Sequence, residues 1–107
     1  MTEKVLDSIV QQIIGRILSV VKPTQVLLFG SAARGNMGAN SDIDLLVVVP
    51  NGVHRRRTTQ NIYRNMLGVG FAADIVVVTE DDIESYRNVE SSVIHPALTE
   101  GRIVYAA

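Results

Sequence analysis

The chain has 107 residues, with 47% apolar residues, 20% charged residues and a formal net charge of -1. That length suits one compact domain over residues 1–107, which would hide ~65% of its unfolded surface; the apolar content argues against a disordered tail. The near-neutral charge gives no basic field for direct nucleic-acid binding, and the absence of cysteine excludes disulfides and thiolate zinc sites.

Apolar runs reach about five residues, far from the ~20 of a membrane span, and the N-terminus has no signal-peptide core. A cytoplasmic protein without membrane contact is expected. In chain order, Val5, Ile9, Ile13 and Ile17, flanked by Leu6, Val10, Ile14 and Leu18, predict an amphipathic helix. Thr2 is its candidate N-cap and Pro23 its stop. Gln25–Phe29 reads as a buried strand halted by Gly30. Ser31–Asn36 allows one helical turn, and Gly35, Gly38 and Asn40 form a connection.

Asp42–Val49 is the second strand, closed by the turn residues Pro50, Asn51 and Gly52. His54–Leu67 reads as a polar helix with Ile62, Tyr63, Met66 and Leu67 on its apolar side and Gly68 as its stop. Ala73–Val78 is the third strand. Thr79 followed by Glu80, Asp81 and Asp82 predicts a capped helix carrying Ile83 and Tyr86. A short helix over Ser91–Glu100, stopped by Gly101 and with its start left open by Pro96, and a strand over Arg102–Tyr105 complete the pattern. The fold class expected is α/β (α+β), a sheet flanked by helices. Leu45–Val49 and Ile75–Val78 are apolar at both parities, so both faces of that sheet are covered.

Two of these strands turn acidic at their first residues. Asp42 and Asp44 alternate with Ile43 and so share one face of their strand. Asp74 occupies the same relative place in the next apolar strand. Three carboxylates so placed repel one another unless a cation neutralises them, and Mg²⁺ suits such oxygen donors. Two ions ~3.5–4 Å apart would clamp the oxygens of a phosphoryl-type displacement. Gly30 lets a phosphate approach the backbone, and Ser31 adds N–H and hydroxyl donors at the start of a turn. Arg34, in the same loop, either steadies a triphosphate or pairs with the acids.

Elsewhere, Arg55, Arg56 and Arg57 fan around a helix and read as a solvated face, with a partner or phosphate contact by one of them as the alternative. His54 and His95 lack metal-ligand spacing and read as structural. Tyr63 and Tyr86 read as packing residues, and Tyr105 as docking on the domain.

The segments Leu28-Phe29-Gly30-Ser31-Ala32-Ala33-Arg34-Gly35, Ser41-Asp42-Ile43-Asp44-Leu45-Leu46-Val47 and Ala73-Asp74-Ile75-Val76 resemble the nucleotidyltransferase superfamily that includes DNA polymerase β. More narrowly, they resemble its minimal single-domain members, which the closing Glu100–Tyr105 also fits. The resemblance implies a mixed sheet and transfer of a nucleoside monophosphate to a hydroxyl, with pyrophosphate released. It implies that Asp42 and Asp44 bind two Mg²⁺ ions, that Asp74 binds one and helps deprotonate the hydroxyl, and that Gly30 and Ser31 hold the β and γ phosphates. Minimal members of this kind act as antitoxins, moving AMP from ATP to a tyrosine of a HEPN-type toxin. A non-catalytic module that neutralises its partner by contact, and an antibiotic-modifying transferase, are the competing functions.

Overall fold

A computed structural model describes residues 2–33 and 43–107. The first helix, α1, spans Glu3–Leu18; the Thr2 hydroxyl accepts the Val5 N–H at 3.2 Å, as the cap assignment requires. Leu6, Val10, Ile13, Ile14 and Ile17 are buried, while Val5 and Leu18 are exposed. A four-residue repeat drifts off a face that turns every 3.6 residues, so the buried stripe follows Leu6 rather than Val5. The helix also stops earlier than Pro23 demands: Ser19 caps it by donating to the carbonyls of Gly15 and Ile17.

Strand β1 is Gln25–Phe29 and leads directly into α2, Gly30–Ala33. Strand β2 is described over Ile43–Val49; the expected first residue, Asp42, lies outside the described residues, as do Gly35, Gly38 and Asn40. Helix α3 covers Arg55–Arg64, with His54 as its cap through Nδ1, which accepts the Arg57 N–H at 3.1 Å. It ends three residues short of Leu67, for a tertiary reason. Arg16 of α1 donates to the carbonyls of Asn65 and Leu67 at 2.9 and 3.0 Å, and Asn65 returns a bond to the Arg16 carbonyl at 2.8 Å. Carbonyls freed by ending the helix are thus satisfied from across the domain.

Strand β3, Ala73–Thr79, runs into α4, Glu80–Tyr86. There Thr79 and Asp82 form a reciprocal capping box. Helix α5 is Ile94–Glu100, shorter than expected, with Pro96 in its first turn, where a missing N–H costs nothing. Strand β4 is Arg102–Ala106. Between them Gly101 passes so close to the carbonyls of Ala97 and Leu28 that no Cβ fits without a shift.

The four strands lie in the order β3-β2-β1-β4, with β2 and β3 parallel and the other pairs antiparallel, the mixed sheet expected. One face packs Leu28, Leu45, Val47, Ile75 and Val77 against the stripe of α1 and Ile62 of α3. The other packs Leu27, Leu46, Val48 and Val78 against Ile94 and Ala97 of α5, with Ile83 of α4 at its margin. Alternation along β2 therefore feeds two cores, and every residue from Leu45 to Val49 is buried. No helix among the described residues is long and apolar enough to cross a membrane.

Candidate active site

Strands β2 and β3 place an aspartate second, and the register sets Asp44 opposite Asp74. In-register residues of a parallel pair project to the same face, from backbones ~4.8 Å apart. That face is the one carrying Leu46, Val48 and Val78, so the apolar layer under α5 gives way to two carboxylates at the edge of the sheet. Asp44 is partly buried and Asp74 exposed.

Strand β1 is antiparallel to β2 and ends where β2 begins, with Phe29 paired to Asp44. The next residue, Gly30, turns the chain with φ +72°. A Cβ at this position would run into the Asp44 carboxylate oxygen. Glycine is therefore required twice, by its dihedral and by its neighbour. Ser31 follows, partly buried in the first turn of α2, with Ala32 anchored in the core behind it. Gly30, Ser31, Asp44 and Asp74 thus meet at one end of the sheet. Asp42 and Arg34 lie outside the described residues. Among the described residues no group of three or more metal-binding side chains occurs. The two carboxylates that are described supply hard oxygen donors side by side, a set that fits Mg²⁺ rather than a softer metal.

The remaining candidates have structural duties. His54 caps α3, and the His95 Nδ1 lies 2.9 Å from the Arg87 carbonyl. Arg55 pairs with Asp82 at 2.8 Å, bridging the first turns of α3 and α4. Burial pushes the Asp82 carboxyl up, but hydrogen bonds from Thr79 and the charge of Arg55 outweigh it and hold the group below its usual 3.8. Tyr105 packs at the margin of the core, as expected. Tyr63 and Tyr86 do not pack as expected: they are 43% and 47% exposed. The Tyr63 hydroxyl accepts the backbone N–H of Ile75 at 2.8 Å, immediately after Asp74. Sequence reasoning missed this contact; the polar character of α3 around Tyr63 was the available signal.

A cavity of about 760 Å³ lies away from Asp44 and Asp74, with His54, Arg55, Arg56, Thr79 and Asp82 in its lining near the C-terminal ends of β2 and β3. It shares no residue with the Gly30–Asp44 edge.

A family model described as a nucleotidyltransferase domain matches residues 10–98. Comparison with curated proteins finds no match. A putative nucleotidyltransferase from Sulfolobus solfataricus is similar in structure, with a TM-score of 0.62, 20% identity, and coverage of 91% of this chain and 77% of that one. A toxin-antitoxin with AMP-PNP is also similar, with a TM-score of 0.61, 19% identity, and coverage of 91% and 73%. A mutant form of the toxin-antitoxin MntA-HpeT superposes with a TM-score of 0.62 at 19% identity and the same coverage. At these identities the likeness speaks to the fold. The family match extends from α1 into α5 and takes in both acidic strands, and on that ground the chain belongs to the nucleotidyltransferase domain family.

Proposed function

We propose that this nucleotidyltransferase is a protein adenylyltransferase that moves AMP from ATP to a hydroxyl, in the first instance a tyrosine, of a HEPN-type toxin and so acts as its antitoxin. The observation that carries the transferase part is the register of Asp44 with Asp74, with the Gly30 turn against the Asp44 carboxylate. The neighbours described as toxin-antitoxin structures, one of them with AMP-PNP, support the choice of partner and nucleotide.

In this reading Asp42, Asp44 and Asp74 would hold two Mg²⁺ ions, Asp42 and Asp44 as ligands of both and Asp74 as a ligand of one. When bound, Mg²⁺ would neutralise the carboxylates and the developing charge on the phosphates. Gly30 and Ser31 grip the β and γ phosphates through backbone N–H groups and the serine hydroxyl, and Arg34 steadies the triphosphate. Asp74, the exposed member of the pair, takes the proton of the incoming hydroxyl. The hydroxyl oxygen bonds to the α-phosphorus, the bond from that phosphorus to the bridging oxygen breaks, and pyrophosphate leaves with the electron pair. Holding both reactants at one sheet edge supplies the orientation that makes the displacement effectively intramolecular.

The test uses ATP labelled at the α-phosphate, Mg²⁺, and the purified product of the neighbouring reading frame. Label on that protein supports the proposal. Neutralisation of the partner that persists in Asp42→Asn/Asp44→Asn, without label, would replace it with neutralisation by contact. Label on an aminoglycoside alone would assign a small-molecule acceptor.

A further inference from the structure

Between Asp44 and Asp74 the chain holds four arginines and no acid. Three of them, Arg55, Arg56 and Arg57, form the first turn of α3, where the helix dipole disfavours cations. Helix α4 does the opposite and opens with Glu80, Asp81 and Asp82. Arg55 is engaged by Asp82. Arg56 and Arg57 are exposed, and Gln60 and Tyr63 continue outward on the same helix. Beyond its end Leu67 is 80% exposed. Arginine, tyrosine and an exposed leucine, without lysine or acid, are the composition of a protein-binding surface.

We propose that the outer face of α3, from Arg56 and Arg57 through Tyr63 to Leu67, docks the acceptor protein through a partner surface bearing carboxylates around an apolar patch. This rests on the reading that the acceptor is a protein. The charge of the strip works against its own helix and is complementary to an acidic surface. A nucleic acid would use the arginines but leave Leu67 without a role, and the net charge of -1 offers no wider field to follow a phosphate backbone. The strip is tied to the edge strand β3 where the Tyr63 hydroxyl accepts the N–H of Ile75, the residue after Asp74, although α3 packs on the sheet face opposite the one carrying the Asp44 and Asp74 carboxylates. A partner laid along α3 therefore reaches Asp74 by passing around the β3 edge, where that side chain is exposed.

The test measures transfer to the neighbouring-frame product by Arg56→Glu/Arg57→Glu and by Leu67→Asp, with Glu90→Arg as a control. Each α3 variant is expected to raise KM for the acceptor by about tenfold or more, with kcat and KM for ATP unchanged. Melting of Arg56→Glu/Arg57→Glu should be unchanged or raised, because glutamate suits a first turn. An acceptor KM within about twofold of wild type would overturn the surface while leaving the transferase reading intact. If wild type transfers nothing to this protein, calorimetry decides. Binding that the α3 variants lose sustains the surface and leaves the transferase reading to fall alone; binding they retain, or none by wild type, overturns the surface. Binding of an RNA duplex that these substitutions weaken, with protein binding unaffected, also overturns it.

Discussion

The Gly30 backbone lies against the Asp44 carboxylate with no room for a methyl group between them. The phosphate-loop candidate and the acidic strand are thus in direct contact, and each fixes the position of the other. Gly30→Ala should show this. The left-handed dihedral alone costs an alanine ~1–2 kcal/mol, and the carboxylate must also move. A displacement near 1 Å lowers turnover by ~10²-fold. Chemical denaturation and label transfer measure the two effects separately.

Asp74→Asn should separate chemistry from folding. The side chain is exposed and faces Asp44 across the register, so removing its charge relieves repulsion without opening the core. Stability should stay within ~0.5 kcal/mol of wild type or rise slightly. Transfer should fall by ~10²–10⁴-fold if the carboxylate takes the proton. Wholesale unfolding in a thermal melt would contradict this account.

Divalent-ion dependence follows from the same pair. Chelation should abolish transfer and added Mg²⁺ should restore it, while the melting curve of the nucleotide-free protein changes little. The core on either side of the sheet is built from apolar side chains and needs no ion. A chelator-induced loss of the folding transition would assign the metal a structural role instead.

Tyr63→Phe removes the oxygen that accepts the Ile75 N–H. The expected loss is ~1 kcal/mol. Amide exchange at Ile75 should accelerate more than at Val76 or Val78, whose N–H groups face β2 in the parallel ladder and do not depend on Tyr63.

The capping box of α4 should respond to acid. Asp82 is held below its ordinary value when folded, so its contribution is complete above pH ~4 and is lost as pH falls through the lower folded value. Asp82→Asn should therefore be less stable than wild type at pH 7, by ~1 kcal/mol for a cap. The gap should narrow as pH falls below ~4 and through the lowered folded value. Urea midpoints at pH 7 and at a descending series of pH values below ~4 measure it.

The strands were legible because their signals are local. Residues 26–29 are apolar up to a glycine, and β2 and β3 are apolar at both parities behind an opening acid. Their register, which makes Asp44 and Asp74 neighbours, sets the apolar run from Leu45 against the one from Ile75. The end of α3 was not legible, because Arg16, 49 residues upstream of Asn65, satisfies its carbonyls. Tyr63 was misread for a related reason: periodicity identifies a face, whereas its hydroxyl serves a backbone amide on another element. The roles of Asp42 and Arg34 lie with residues outside those described.

The sheet has two unlike margins. Along β3, the Ile75 amide is taken by Tyr63 and the Thr79 amide by the Asp82 carboxylate, so an arriving strand meets donors already in use. Among the described residues β4 pairs with β1 alone, and Ile103 on it is 55% exposed. Enlargement of the sheet would consequently be directional: a strand lent by another molecule would meet occupied donors at Ile75 and Thr79 beside β3 but not the same obstruction beside β4.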